Sequence, residues 1–385
     1  MNRIEPSKIP EALVDIYPCR QTDDRCPADA GARGGGPLPE RTATRSPVPA
    51  AGEGVSTVQV RIVTELEECQ NIWLRHVPLE QLTDRWALRE CFHRHYRRQP
   101  FFVVAEEAGE LVGLLPLSWL PESGCFGYFP GEVWHGKTWL EQNRVLARDA
   151  SVLAQMMRSL KEVGLHYHLR YLLATPSLQC QGEGIDEVGY LFYPSQFQFD
   201  LENYFELFSR KSAKAIRRRL EAFETRGVEV RLDRESDFEL MIRMNLERYG
   251  TDSYFADQRF TRSFRDLMGL FLEEGTLRIT TVIIEGEPAA VDFGTVFDGV
   301  YTLLGGGTNA RFPDIAKYIN LYHMRRACQE SLEAVDFLCG EFHWKPMFHL
   351  SARPLYLLSN LESAPLTTSA STEWVPEPVA QRLGL

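Results

Sequence analysis

The feature that most restricts what this chain can fold into is an order of elements that it runs through twice. In the second half, Val228-Glu229-Val230-Arg231-Leu232 alternates as a half-buried strand does. Helical patterns follow at about 236–248 and 257–273. Leu277 to Ile284 is an apolar strand, Glu285-Gly286-Glu287-Pro288 a turn, and Ala289 to Phe297 the next strand. Val300 to Leu304 makes a third. A helix begins at Pro313, where proline suits the first helical position, and Val335 to Leu338 is the strand after it. The first half reads the same way. Val58 to Ile62 is a strand, and Thr64-x-x-Glu67 is a capping box opening a helix with Ile72 and Trp73. A second helix runs from Glu80 to His95. Phe101 to Ala105 is a strand, Ala108-Gly109 turns it into Leu111–Leu115, and another strand lies at Cys125 to Phe129. A helix over Leu140 to Val163 and a strand over Leu169 to Ala174 complete the series. The expectation is an α/β (α+β) chain of two units of similar architecture, each a mixed sheet flanked by helices. The strand-like segment Val188–Phe199 and a helix over 201–226 join them. The repeat lies in the order of elements and in no residue-level pattern.

Boundaries follow from composition. Residues 1–54, rich in Ala, Gly, Pro and Arg with Gly34-Gly35-Gly36-Pro37 at the centre, read as a disordered segment. The units are expected at 55–199 and 200–358, and the Ser/Thr/Pro-rich stretch 359–385 as a disordered tail. The chain has 385 residues and a formal net charge of −11, which argues against a general nucleic-acid binder while leaving room for a local basic patch. No run approaches the roughly 20 apolar residues that span a bilayer, and Pro6 and Pro10 interrupt any apolar leader. The 8 cysteines form no C-x-x-C pair and no zinc-like cluster with histidine. No metal is expected, and scattered thiols fit a reducing, cytoplasmic setting.

In the second half, Ser209-Arg210-Lys211-x-x-Lys214-x-x-Arg217-Arg218-Arg219 leads into Gly286-Glu287-Pro288-Ala289-Ala290, Tyr301 and the Pro-started helix. Asp336-Phe337-x-x-Gly340-x-x-x-Trp344-Lys345-x-x-Phe348 closes the series. In order and spacing this resembles the GCN5-related N-acetyltransferase (GNAT) superfamily. Within it, the series resembles the BioF2-like acetyltransferase domain first named for cellulose-biosynthesis proteins, which is related to the Fem aminoacyl transferases. The match covers about residues 200–350; the first half is supported by architecture alone. The resemblance implies an acyltransferase of N-acetyltransferase type. Acetyl-CoA would be its co-substrate, and its acceptor an amine or hydroxyl on a small molecule or a glycan, in polysaccharide or envelope biosynthesis. An aminoacyl-tRNA-dependent transferase like the Fem proteins, or an accessory protein that kept the fold without the chemistry, are the alternatives.

Three groups of residues are candidates for the site. Gly305, Gly306 and Gly307 end a strand shortly before a helix, where backbone N–H groups and the helix N-terminus suit a pyrophosphate. The donor-binding pattern of the fold is met there by Arg311 and Ala316, while Asp314 stands where it has glycine. The basic helix face with Arg217 and Arg218 either binds phosphates or is a solvated face paired with Glu206, Glu221 and Glu224. Transfer to an amine needs a general base. His343 and Glu341 lie in the loop after the last strand, and Asp292 sits in an apolar strand where a carboxylate needs a partner or a role. Trp344 and Lys345 are expected to bind substrate, and Tyr301 to face it.

Overall fold

The computed structural model describes residues 57–162, 164–179, 184–340 and 344–361. The expected disorder of 1–54 and the tail beyond 361 lie outside the described residues. The first unit comprises β1 (Gln59–Val63), α1 (Leu66–His76), α2 (Trp86–Tyr96), β2 (Pro100–Glu107), β3 (Glu110–Leu120) and β4 (Cys125–Tyr128). A small hairpin, β5 (Val133–Trp134) and β6 (Lys137–Thr138), then leads to β7 (Leu146–Ala147), α3 (Ala150–Glu162) and β8 (His168–Leu172). After α4 (Pro176–Gln179) come β9 (Gly184–Phe192), α5 (Leu201–Phe205) and α6 (Arg210–Glu224). The second unit then repeats the order with β10 (Val228–Leu232), α7 (Ser236–Tyr249), α8 (Gln258–Glu273), β11 (Leu277–Ile284), β12 (Glu287–Phe297), β13 (Val300–Thr308), α9 (Ile315–Gln329) and β14 (Ala334–Asp336). A short α10 (Trp344–Met347) and β15 (Ser351–Ser359) end the described chain.

The hairpins at Ala108-Gly109 and Glu285-Gly286 are two-residue turns with both residues at positive φ. That conformation matches the twist of the flanking strands and favours glycine in second place. The expected four-residue turn is therefore shorter. Glu287 and Pro288 belong to β12, with Pro288 beside a register shift where the ladder needs no donor. Other expectations also move. The helix over 140–163 starts only at Ala150, behind an Asp149 carboxylate that caps the amides of Ser151 and Val152. Residues 140–144 run as irregular backbone instead, with Gln142 at a φ of 56°; Glu132 accepts from the Leu140 amide, and Asn143 bonds to the backbone beside β8. The joining helix breaks into α5 and α6, with Ser209 capping the second. The capping box at Thr64 is absent: the N-cap is Glu65, without a side-chain bond.

One sheet runs β1-β2-β3-β4 with β7 on β3; the other runs β10-β11-β12-β13-β14-β9-β15-β8. The division at residue 199 therefore does not follow the sheets. β9 lies inside the second sheet between β14 and β15, and β8 pairs with β15 while Tyr167 bridges Phe126 of β4. Nor does order stop at 358: Ser359 pairs with His168, and Asn360 accepts from the Tyr167 amide and donates to Leu165. One apolar core is shared. Phe92 of α2 stacks on Trp139 at 5.7 Å, and Trp139 meets Phe264 of α8 edge-on at 4.8 Å. Burying side chains of this size stabilises by about 1.5–3 kcal/mol each, so separating the units would expose a face that neither can cover.

Candidate active site

β13 and β14 run parallel for only three residue pairs, Val300↔Ala334 to Thr302↔Asp336. β14 then stops while β13 continues to Thr308, so the two strands part. The three glycines lie within this continuing stretch and not in a loop after it, which corrects their expected role as a phosphate cradle. A Cβ on Gly306 would stand 2.4 Å from Asp292 Oδ1, and one on Gly307 2.5 Å from the Met241 carbonyl. These glycines let the sheet hold a carboxylate on one face and press α7 on the other. The Gly306 carbonyl accepts from Asn245 Nδ2 (2.7 Å), and Asn245 Oδ1 accepts from Ser253 Oγ (2.7 Å).

A groove of about 370 Å³ lies between α6, α9 and the segment 347–349. Ile216, Leu220, Phe223, Leu321 and Phe348 make it apolar; Ser209, Ser212, Arg219 and Lys317 give it polar groups. Ala316 lies in the first turn of α9, beside the groove-lining Lys317. Asp314, the residue that departs from the family pattern, lines it too. Its carboxylate accepts from Lys317 Nζ at 2.7 Å, which holds it below the usual carboxylate range, and Arg219 stands 3.8 Å away. Arg311 is 73% exposed and paired with Glu287. Arg217 is likewise engaged, with Glu202 at 2.6 Å and the Phe205 ring beneath it. Arg218 is exposed.

The end of β14 carries a buried charge cluster that the sequence reading missed. Glu141, from the first unit, accepts from the Cys339 amide at 2.8 and 2.9 Å. Burial pushes its carboxyl up to about 7, against the lowering effect of the Cys339 thiol and amide. Gln142 donates to Asp336 Oδ2 at 3.0 Å, and Arg353 does so at 2.8 Å. Lys345 is 2% exposed, and its ammonium donates to the carbonyls of Phe337, Leu338 and Cys339 at 2.9, 2.9 and 2.7 Å. All three protons are taken, which corrects its expected role as a substrate ligand. Burial lowers this lysine to about 8, with the Glu141 charge the strongest pull back up. Trp344 opens α10, while Glu341 and His343 lie outside the described residues. The only sequence signal for this cluster was the polar run Glu141-Gln142-Asn143 after an apolar pair.

Asp292 has a partner, and it is a buried one. His323 of α9 places Nε2 3.0 Å from Asp292 Oδ2, with the two side chains 2% and 6% exposed. Tyr301 packs its ring 4.9 Å from His323, and its hydroxyl is buried without a hydrogen-bond partner. Burial first, then the Asp292 charge, holds that phenol well above its ordinary range.

The first unit has the same parting of strands, between β4 and β8, but its own chain fills the gap. Asn143 bridges Leu172, its amide donating to the Tyr171 carbonyl (2.9 Å) and its carbonyl accepting from Leu173 (2.8 Å). Buried Arg89 locks the plug, donating to the Phe129 carbonyl at 2.6 Å and to Asn143 Oδ1 at 3.0 Å. No helix among the described residues is long and apolar enough to cross a membrane, and no metal-binding group of His, Cys, Asp or Glu is found among them.

Two α/β units of this topology, the gap of the first plugged by Asn143, make a tandem acetyltransferase-like fold. Residues 210–346, which fall in the second unit, match the family model described as an acetyltransferase (GNAT) domain. No curated protein matches the chain. Among solved structures it is similar to the C-terminal domain (DUF2156) of a putative lysylphosphatidylglycerol synthetase from Agrobacterium fabrum. That domain is 11% identical at a TM-score of 0.47, over 78% of this chain and 93% of that one. FemX is 10% identical at 0.48, over 77% and 96%. A tandem GNAT protein from the clavulanic acid biosynthesis pathway is 10% identical at 0.44, over 80% and 100%.

Proposed function

We propose that the second unit transfers an acyl group, acetyl in the simplest case, from a coenzyme A thioester to an amine or hydroxyl. The acceptor would be a small molecule or a glycan, in the cytoplasm and in the service of polysaccharide or envelope biosynthesis. The observation that carries this reading is a contrast between the units: Asn143 fills the gap between the parting strands of the first, and the second carries an apolar groove between α6, α9 and Phe348 with Ser209, Ser212 and Lys317 on its wall. The pantetheine arm lies in the groove between α9 and Phe348, its phosphates near Ser209, Ser212, Lys317 and the first turn of α9. Glu141 is the general base: it sits at the strand end where substrates of open α/β sheets collect, and a carboxyl poised near 7 both accepts a proton and gives it up at neutral pH. His343 and Glu341 are the other candidates for that role. Lys345 positions the chain after β14 by holding its carbonyls. Calorimetry with coenzyme A tests the reading. Wild type should bind, and Ile216→Trp, which fills the groove, should not; equal binding by the two sinks the groove as the donor site. Release of free thiol from acetyl-CoA across a panel of amines and sugars would then find the acceptor.

A second reading, an aminoacyl-tRNA donor, is favoured by Asp314, whose carboxylate stands where a pyrophosphate would lie. It requires transfer that ribonuclease abolishes. An accessory role without chemistry requires that neither donor bind.

A further inference from the structure

Apart from Arg219, the basic residues of α6 do not face the groove. Ser212, Ile216, Arg219 and Phe223 line it. At 3.6 residues per turn, Arg210, Lys214 and Arg217 stand on the opposite side of the helix, with Lys211 and Arg218 flanking them. All five are exposed. Only Arg217 is paired; among the described residues no carboxylate comes within ion-pair distance of Arg210, Lys211, Lys214 or Arg218, so the pairing with Glu206, Glu221 and Glu224 is not formed. A donor seated in the groove would leave these charges pointing into solvent, on a chain whose net charge is −11. The groove itself is poor in free positive charge, because Arg219 and Lys317 are already turned to Asp314. Coenzyme A brings a pyrophosphate and a further phosphate to such a place. A pantetheine arm tethered to a protein brings a single phosphodiester.

We propose that the outward face of α6 docks an acidic carrier protein that delivers the acyl group on a phosphopantetheine arm into the groove. This rests on the thioester-transfer reading and names the partner that supplies the donor. Complementary charge at the rim of such an interface steers the encounter and weakens with salt. The acyl carbon leaves the arm's sulfur for the acceptor nitrogen or oxygen. The sulfur takes up a proton, the acceptor loses one, and the thiol form of the carrier departs.

The test uses the full chain and a purified, fluorescently labelled acyl carrier protein in acetylated form, followed by anisotropy. Binding should fall by about tenfold or more in a Lys211→Glu, Lys214→Glu, Arg218→Glu variant, and wild-type binding should weaken from roughly 50 to 300 mM salt. Coenzyme A affinity should be the same in wild type and variant. Carrier binding that ignores both the substitutions and the salt overturns the docking face. So does the absence of carrier binding when coenzyme A still binds, or binding of transfer RNA alone; in those cases the groove reading survives the first two and yields to the aminoacyl-tRNA donor in the third. If neither the carrier nor coenzyme A binds, both readings fall. Should the triple variant melt at a lower temperature, Lys214→Ala and the salt series on wild type decide in its place.

Discussion

Glu141→Gln is the perturbation that most directly probes the junction of the two units. The carboxyl is 8% exposed, and burial raises it from 4.5 to about 7. A raised carboxyl binds more protons in the folded state than in the unfolded one between those two values. Stability therefore falls as pH rises through that window. A shift of that size corresponds to about 3 kcal/mol lost between pH 4.5 and 7, taking about 1.4 kcal/mol per unit. Glutamine keeps a carbonyl oxygen for the Cys339 amide and never ionises, so the variant lacks this loss. Urea unfolding of both proteins from pH 5 to 8 isolates the group, because other titrations largely cancel in the difference. Relative to wild type, the variant should gain by about 2–3 kcal/mol across the range, most of it before pH 7. Lys345 acts in the opposite sense at higher pH. Lowered from 10.5 to about 8, it binds fewer protons folded than unfolded, so stability rises again between those values. A difference that stays flat from pH 5 to 8 would refute the reasoning, since it would mean that Glu141 stays charged and solvated. A loss of the pH dependence of kcat near 7, once a substrate is found, would then separate a catalytic Glu141 from a merely buried one.

Tyr301→Phe removes a buried hydroxyl that has no partner, and the variant should be as stable as wild type or up to about 1 kcal/mol more stable. A marked fall in melting temperature would show that the hydroxyl is bonded after all, and a fall in kcat alone would show that it meets the substrate. His323→Ala leaves the Asp292 carboxylate buried and alone and should cost about 3–5 kcal/mol; denaturant midpoints should show His323→Ala, Asp292→Asn to be less destabilised than the single change. Ending the chain at residue 358 removes Ser359 and Asn360 with their bonds to Tyr167, Leu165 and His168. It should lower stability by about 2 kcal/mol relative to a chain ending at 361; equal melting curves would show that β15 ends earlier.

What could be read from the sequence was local. Apolar runs, turn residues and helical periodicity determine the order of elements, and Gly109 and Gly286 mark their hairpins, because each depends on residues a few positions apart. That order, repeated, was enough for two acetyltransferase-like units, and the motifs after Ser209 pointed to the acetyltransferase (GNAT) domain model that matches residues 210–346. Tertiary structure alone decided the rest. Nothing near Gly306 announces that Asp292 will lie against its Cα, so the glycines read as a loop for phosphates, when they serve close packing inside β13. Lys345 looked like a free cation on a loop until three carbonyls from Phe337 to Cys339 were found to take its protons. His323 and Asp292 lie on different elements, and only the packing of α9 on the sheet makes them a pair. Glu141 is the extreme case. It stands 198 residues from the amide that it binds, in a stretch whose local pattern reads as helix. The bond of the Leu140 amide to Glu132 and those of the Asn143 backbone to Tyr171 and Leu173 override that propensity and carry a carboxylate of the first unit to the strand end of the second.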